Sequence, residues 1–267
     1  MGEGPMSNPA NYSRAGRKAT EIILPPLIKG MMKRDWHGHE HVPREGGVII
    51  APNHLSYADW AAMALFTHEA GRYPAFLIKA PVFKVKAIGP MMYRLGQLPV
   101  NRGELDAALV LKDAEQSLAA GEALIIYPEG TATRDPNLWP MTGRTGAARL
   151  ALATGAPVIP VAHWGAQVIL PYGSKRPKLA PRHTVRLQAG PPVDLSAFSG
   201  KPLDRDTLRA ATAAIMADIT GLLAGLRGED PPAEPFDWAA ARRQARSSAR
   251  QGGGAEPDSG HPEAAQA

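Results

Sequence analysis

Residues 48–60 read VIIAPNHLSYADW, an apolar β-branched run that passes into polar residues and then into a longer helix-like segment. The run 48–51 predicts a buried strand, and residues 58–70 have the pattern of a helix. Further strands are predicted at 75–78, 98–100, 123–127, 158–162 and 185–189, and further helices at 82–95, 104–120, 145–154 and 203–226. This alternation predicts an α/β fold with a mostly parallel central sheet flanked by helices.

The composition limits the possible chemistry. The 267 residues include no cysteine, which excludes disulfides, thiolate nucleophiles and cysteine-ligated metal sites. Four Arg and seven acids give residues 228–267 a net charge of −3. Because the whole chain has a net charge of +5, residues 1–227 carry +8. A basic folded part suits anionic lipid, phosphorylated small molecules or nucleic acid. Nucleic acid is the least favoured of the three, because no dense basic run with interleaved aromatic residues is present.

The two ends of the chain differ from its middle. The longest apolar run, 22–28, contains two prolines and is far shorter than the about 20 residues of a membrane span, and no secretory signal precedes it. Basic residues flank this run, so residues 1–35 are predicted to form amphipathic helices, broken at Pro25 and Pro26, that lie on a membrane surface or pack on the core. Residues 36–227 are predicted to be the folded domain and 228–267 a disordered tail, although 236–250 could form a short basic helix.

Polar side chains follow five of the predicted strands. They are Asn53, His54, Lys79, Asn101, Arg102, Glu129 and His163. Ligands of open α/β sheets bind just beyond the carboxyl ends of the strands. If these strands are parallel, the seven residues share one edge and mark the candidate site.

His54 and Asp59 are the candidate catalytic pair. Asp59 lies in the first turn of the predicted helix and can accept a hydrogen bond from one ring nitrogen of His54, leaving the other nitrogen to take a proton from a hydroxyl. The alternative is a capping box, in which Asp59 accepts the amide of Ser56 and Ser56 itself caps the helix rather than attacking a substrate. The residues alone leave both interpretations open.

The segment YPEGTATRD, residues 127–135, follows another predicted strand. Gly130 permits an unusual backbone turn, and Glu129 can accept a hydrogen bond from a hydroxyl. Thr131, Thr133 and Arg134 can donate hydrogen bonds to an anion. A plain polar turn is the alternative. Several cations lie near the same edge and predict a phosphate pocket; these are Lys79, Arg102, Arg134, Arg144 and Arg149.

Metal and nucleotide chemistry have weaker support. His37, His39 and His41 alternate as metal ligands can, but an exposed strand explains them equally well and no carboxylate or cysteine partner is placed convincingly with them, so no metal site is predicted. Neither a Walker loop, a G-x-G-x-x-G element nor a G-x-S-x-G element occurs, which argues against nucleotide folds and serine hydrolases.

Four blocks in order resemble the glycerolipid acyltransferases, the family of 1-acyl-glycerol-3-phosphate and glycerol-phosphate acyltransferases. NHLSYAD at 53–59 resembles its N-H-x-S-x-x-D block, and VNRG at 100–103, YPEGT at 127–131 and APVIPV at 156–161 resemble the other three. HGHEHVPREGG is similar to the lead-in of the family and makes the histidine cluster part of the scaffold. The resemblance covers about residues 38–161 and extends at most to 191.

The resemblance implies acyl transfer from acyl-coenzyme A or acyl carrier protein to the free hydroxyl of lysophosphatidate, without metal or cofactor, by an acyltransferase domain at 36–227. It implies His54 as general base with Asp59 as its orienter, Arg102 and Lys79 on the phosphate, and Glu129 and Gly130 shaping the acceptor site. It also suggests a peripheral protein on the cytoplasmic face of the cell membrane.

One departure from the family pattern concerns the acceptor. The family usually has Arg directly after the Thr of YPEGT, whereas this chain has Ala132, so Arg134 or Arg144 is the expected substitute. Glycerol 3-phosphate, another lysophospholipid or a glycolipid therefore stay open as acceptors. A non-catalytic lipid-surface binding protein is the alternative from a different functional class.

Overall fold

The computed structural model describes residues 13–86, 88–100, 104–174 and 176–251. The strands are β1 (Lys33–His37), β2 (Val48–Pro52), β3 (Pro74–Lys79), β4 (Leu98–Val100), β5 (Ala123–Ile125), β6 (Val158–Trp164) and β7 (Thr184–Ala189). The helices are α1 (Arg14–Met31), α2 (Asp59–Glu69), α3 (Ala80–Phe83), α4 (Ile88–Arg94), α5 (Glu104–Ala119), α6 (Gly146–Thr154), α7 (Ala166–Ile169), α8 (Arg205–Arg227) and α9 (Trp238–Gln251).

Strand β2 occupies the centre of a seven-stranded sheet whose order is β1-β7-β6-β2-β5-β3-β4. It pairs in parallel with β5 and β6, and the antiparallel pair in the described chain is β6 with β7. The predicted α/β fold with a mostly parallel sheet is therefore confirmed. The parallel pairing brings the carboxyl ends of β2, β3, β4, β5 and β6 to one edge.

Both faces of the sheet are covered, which explains why β2 is apolar at every position. Ile49 and Ala51 pack with residues of α5, α6 and α8 on one face. Val48 and Ile50 pack with Met63 and Phe66 of α2 on the other. Alternate residues of a strand point to opposite faces, so α2 lies on one side of the sheet and α5, α6 and α8 on the other.

Helix α1 is continuous, so the predicted break at Pro25 and Pro26 is wrong. Ser13 caps the helix by accepting the amide of Gly16 at 3.0 Å. Ile28 is buried in a cluster with Ala61, Ala62 and Leu65 of α2. This packing holds the helix together where the prolines remove backbone hydrogen bonds.

The single helix predicted at 82–95 is instead two helices, α3 and α4. The described residues where one gives way to the other, 83–86 and 88–91, are called the α3–α4 corner. Gly89 explains the corner, because a Cβ atom at this position would lie 1.9 Å from the carbonyl oxygen of Phe83. Only glycine allows the two backbones to approach so closely.

The apolar character of α8 has a structural explanation. By length and composition this helix could span a membrane, because the mean hydropathy of its most apolar 18 residues is 1.3. Leu208, Ala211, Ile215, Ile219 and Leu223 are nevertheless buried, and Ala211 and Ile215 contact the β2 side chains. Helix α8 therefore serves as a core helix of the domain.

Part of the predicted disordered tail is ordered. Helix α9 corrects that prediction for residues 238–251 and matches the alternative of a basic helix at 236–250. Asp237 caps it by accepting the amide of Ala240 at 2.8 Å, and Phe236 forms a β-bridge with Met141. Residues 252–267 lie outside the described residues.

The histidines of residues 37–41 do not share one strand. His37 ends β1, whereas His39 and His41 belong to a turn of 3-10 helix, in which the His39 ring packs 4.3 Å from the ring of Phe66. Across the described ranges no group of three His, Cys, Asp or Glu side chains is placed to hold a metal ion.

Candidate active site

His54 and Asp59 meet just beyond the end of β2. Asp59 is buried at the start of α2, and its Oδ2 accepts a hydrogen bond from His54 Nδ1 at 2.8 Å. The same oxygen accepts the amides of Leu55 at 2.7 Å and Ser56 at 2.9 Å. Asp59 therefore caps the helix and orients the imidazole at once, so the two sequence interpretations are compatible. With Nδ1 donating, His54 Nε2 is free to accept a proton.

Ser56 is committed to the scaffold. Its hydroxyl donates to the carbonyl of Leu170 at 2.6 Å and accepts the amide of Ala58 at 2.8 Å. A hydroxyl held in this way is not positioned as a nucleophile. The predicted helix cap is replaced by a bond in the turn before α2, because the helix begins at Asp59 with Ala58 as its N-cap and without a side-chain cap bond.

Tyr127 forms one wall of the histidine site. Its ring centroid lies 4.3 Å from that of His54 at an angle of 31°. Its buried hydroxyl has no hydrogen-bond partner within the described residues, and burial, followed by the charge of Asp59, raises its pKa well above the ordinary value. Sequence reasoning missed this contact, although an aromatic residue two positions after the end of β5 was a visible signal.

Glu129 binds the backbone of His54 and of Met141 through its two carboxylate oxygens. Its Oε1 accepts the amide of His54 at 2.8 Å and its Oε2 accepts the amide of Met141 at 3.0 Å. Burial raises the pKa of this carboxyl to about 8, against the opposing effect of the two backbone hydrogen bonds. Glu129 therefore ties the loop at Met141 to the backbone of His54, and its role in shaping the acceptor site stays a prediction.

Gly130 and Arg144 form a second close contact. Gly130 has a φ of +70°, and a Cβ atom there would lie 2.7 Å from Arg144 Nε. The amide of Arg144 donates to the carbonyl of Pro128 at 2.8 Å, which fixes the start of this side chain. Glycine at position 130 therefore leaves the space in which the guanidinium group lies beside the turn.

Arg144 and Lys79 line the same cavity as His54. No carboxylate lies within ion-pair distance of either cation in the part of the chain that the structure describes. Thr131 is half-buried beside Gly130 and does not line the cavity. Arg102 lies outside the described residues. The described cations available to an anion near His54 are thus Arg144 and Lys79.

Arg134 is engaged by aromatic residues. Its guanidinium group donates to the Tyr172 hydroxyl, lies 3.7 Å from the Tyr172 ring centroid and lies 5.6 Å from that of Trp238 in α9. The Tyr172 ring lies 5.0 Å from that of Tyr57, which lines the cavity. Of the two substitutes expected for the missing arginine, Arg144 is the better placed.

His163 lies at the same edge of the sheet as Asn53 and Asp59, but one residue before the end of β6 rather than after the strand. It is fully buried within β6, where its Nε2 donates to the carbonyl of Asn53 at 2.8 Å and lies 3.5 Å from Asp59 Oδ2. Asn53 in turn accepts the amide of His163 at 2.8 Å and donates to its carbonyl at 3.2 Å. These reciprocal bonds join the ends of β2 and β6 directly before His54.

A largely apolar cavity of about 1060 Å³ opens beside His54. Its apolar walls come from α1, α2, β3, α3, α4 and the residue after β5, and include Leu24, Pro25, Ile28, Trp60, Leu65, Phe76, Leu77, Val82, Ile88, Met92 and Ile126. Ligand pockets typically measure roughly 300–1,000 Å³. The cavity therefore suits a long apolar group whose reactive end lies at His54.

Comparisons with known proteins agree with this geometry. Residues 33–164 match the family model described as Acyltransferase. A chloroplastic 1-acyl-sn-glycerol-3-phosphate acyltransferase of Brassica napus is 30% identical over 145 residues, 54% of this chain and 40% of that protein. A lyso-ornithine lipid O-acyltransferase of Pseudomonas aeruginosa is 34% identical over 123 residues, 45% of this chain and 43% of that protein. The matches thus span less than half the length of either relative.

A solved structure shares the fold. The 1-acyl-sn-glycerophosphate acyltransferase PlsC of Thermotoga maritima superposes with a TM-score of 0.61 at 21% identity, covering 81% of each chain.

Proposed function

Since residues 33–164 match the Acyltransferase family model, we propose that the protein moves a fatty acyl group from an acyl-thioester to the free hydroxyl of lysophosphatidate. The observation that carries this proposal is the Asp59-oriented His54 at the end of an apolar cavity that also presents Arg144 and Lys79. A base, an apolar chain site and two cations without a carboxylate partner among the described residues are what a phosphorylated, acylated alcohol requires.

The reaction follows from the position of the imidazole. His54 Nε2 takes the proton of the acceptor hydroxyl while the hydroxyl oxygen attacks the carbonyl carbon of the thioester. Asp59 stabilises the imidazolium that forms. The C–S bond then breaks, and the leaving thiolate takes the proton back from His54. Transfer is direct, because the chain has no cysteine and the Ser56 hydroxyl is committed to the scaffold.

The anionic head of the acceptor would lie at Arg144 and Lys79. Both cations line the cavity beside His54, and a phosphate held there would place a neighbouring hydroxyl near the imidazole. Arg102, predicted from the sequence to help hold the phosphate, stays a candidate for the same role.

The acceptor class has one competing candidate. Ala132 replaces the arginine usual in the family, and one relative carries a name that places its activity on a lyso-ornithine lipid. An acceptor of that kind, glycerol 3-phosphate or another lysolipid would use the same base. The donor would be acyl-coenzyme A or acyl carrier protein, since either supplies the thioester.

The proposed location is the cytoplasmic face of the cell membrane, bound peripherally through α1. Ile22, Ile23 and Leu27 on this helix are between 58% and 66% exposed. Lys18 lies near them in the sequence and carries a charge that anionic lipid attracts, whereas Lys29 forms an ion pair with Glu69 at 3.1 Å.

A screen of acceptors tests the proposal. Purified full-length protein is mixed with one acyl-coenzyme A and, in turn, lysophosphatidate, glycerol 3-phosphate, other lysophospholipids and lyso-ornithine lipid, and thiol release is followed. We expect release that depends on lysophosphatidate and that is lost in His54→Ala. No acceptor-dependent release with acyl-coenzyme A or with acyl carrier protein would support a non-catalytic lipid-binding protein instead.

A further inference from the structure

The corner between α3 and α4 exposes large apolar side chains. Val85 is 48% exposed, Ile88 40% and Met91 48%. Lys84 and Lys86, both exposed, alternate with them in the sequence. Apolar groups exposed together and bordered by lysines are typical of a surface that meets a lipid interface.

Two backbone hydrogen bonds and one ring contact hold the described residues of the corner. The amides of Ile88 and Gly89 donate to the carbonyl of Val85 at 3.0 and 2.8 Å. Phe83 is buried on the inner side, where its ring lies 4.7 Å from that of Tyr93. Because the inner side chain anchors the turn, the outward position of its neighbours is fixed by the fold.

The corner is joined both to α1 and to the cavity. The amide of Ser13, at the start of α1, donates to the carbonyl of Arg94, at the end of α4, at 3.0 Å. Ile88 lines the cavity together with Leu24 and Pro25 of α1. Since Ile88 is also exposed, the cavity reaches the protein surface beside the corner.

We propose that the α3–α4 corner is a second membrane-contact element, and that lipid chains enter the cavity from the bilayer between this corner and α1. Val85 and Met91 enter the apolar part of the leaflet, and Lys84 and Lys86 contact anionic headgroups. The route of the lipid chain rests on the proposed acyl-transfer function, whereas the membrane contact does not.

The test compares two double variants of the full chain. Val85→Ser/Met91→Ser removes exposed apolar groups of the corner that do not line the cavity. Leu179→Ser/Leu203→Ser is the matched control, because these leucines are 42% and 36% exposed and also do not line the cavity. Each protein is sedimented with vesicles of phosphatidylcholine and phosphatidylglycerol. Its thiol release is measured with long-chain lysophosphatidate in vesicles and with a short-chain analogue below its micellar concentration.

We expect vesicle affinity and transfer to the long-chain acceptor to fall roughly tenfold or more in the corner variant only. Transfer to the short-chain analogue should stay at the wild-type rate. Vesicle binding equal to that of the control would overturn the membrane contact, and unchanged transfer to the long-chain acceptor would overturn the entry route. If transfer by the corner variant fell only when acyl carrier protein replaced acyl-coenzyme A as the donor, with vesicle binding intact, the corner would be a contact for that carrier and the proposal would be overturned. Absence of all thiol release from wild type would refute the acyl-transfer function while the vesicle arm still decides the contact.

Discussion

At the scale of single residues, Asp59 combines a structural and a chemical task on one oxygen. Its Oδ2 accepts two backbone amides and the imidazole of His54. An asparagine oxygen could accept the same bonds but carries no charge to stabilise the imidazolium. The two tasks can therefore be separated by a substitution that changes charge alone.

We expect Asp59→Asn to lower kcat at least about 10²-fold, the lower end of general-base assistance, with a melting temperature near that of wild type. Asp204, the cap of α8, is the matched control, since it accepts the amide of Thr207 at 2.9 Å far from His54 along the chain. Asp204→Asn should leave kcat unchanged. Thiol-release kinetics and thermal unfolding check both variants; retained activity with a large loss of stability in Asp59→Asn would leave only the capping role.

Glu129 gives a second prediction at this scale, concerning pH. Burial raises the pKa of its carboxyl from 4.5 to about 8. Between these values the folded protein holds a proton that the unfolded chain has lost, so this group makes the free energy of unfolding fall as pH rises, by at most about 1.4 kcal/mol per pH unit. Denaturant titrations of the wild type between pH 5 and 8 should show that the free energy of unfolding falls as pH rises. In Glu129→Gln this pH dependence should be weaker. The variant should also be less stable, because one backbone amide loses its acceptor. Equal pH slopes in the two proteins would contradict the assignment.

At the scale of elements, β-branched runs predicted the strands well. The runs at 48–51, 75–78, 98–100, 123–127, 158–162 and 185–189 each lie within two residues of an observed strand. They succeed because a strand buried on both faces must be continuously apolar, and such a run has few other uses. Strand β1 was not predicted. It lies at the edge of the sheet, where its residues are mostly exposed and polar, so it has no apolar run.

Elements decided by tertiary contacts were not predictable. The prolines of α1 predict a break, but burial of Ile28 against α2 keeps the helix whole. The candidate site shows the same division: His54 and Asp59 are neighbours in the chain and were recognised, whereas the bonds of Glu129 to His54 and Met141 join separate segments. Local spacing carries no information on such pairings.

Helix α1 supports a prediction at this scale. Its exposed residues Ile22, Ile23 and Leu27 can be replaced by serine without touching the buried face at Ile28. We expect the triple variant to lose most of its binding to vesicles that contain anionic lipid while its melting temperature stays within a few degrees of wild type. Deletion of residues 1–34 should lower both, because it uncovers α2. Sedimentation and thermal unfolding distinguish the two, and full vesicle binding by the triple variant would refute an interfacial role for α1.

At the scale of the whole molecule, the sheet separates two sides with different environments. The side with α2 also carries α1, because α1 packs on α2, and α1 shares the cavity with the α3–α4 corner. The other side is covered by α5, α6 and α8. Leu24 and Pro25 of α1 and Ile88 of the corner therefore line one cavity, and a membrane that contacts both elements must approach from the α1 side.

This orientation predicts which lysines a membrane protects. Lys18 on α1 and Lys84 and Lys86 at the corner should react several-fold more slowly with a water-soluble amine reagent when vesicles are bound, since they then face headgroups. Lys112 on α5 and Lys201 before α8, which are exposed on the other side, should react at the same rate with and without vesicles. Peptide mass spectrometry of each lysine measures these rates. Protection of Lys112 and Lys201 instead would reverse the orientation, and protection on both sides would indicate aggregation on the vesicles rather than docking. Protection confined to Lys18 would keep α1 as the membrane contact and would place the corner in water.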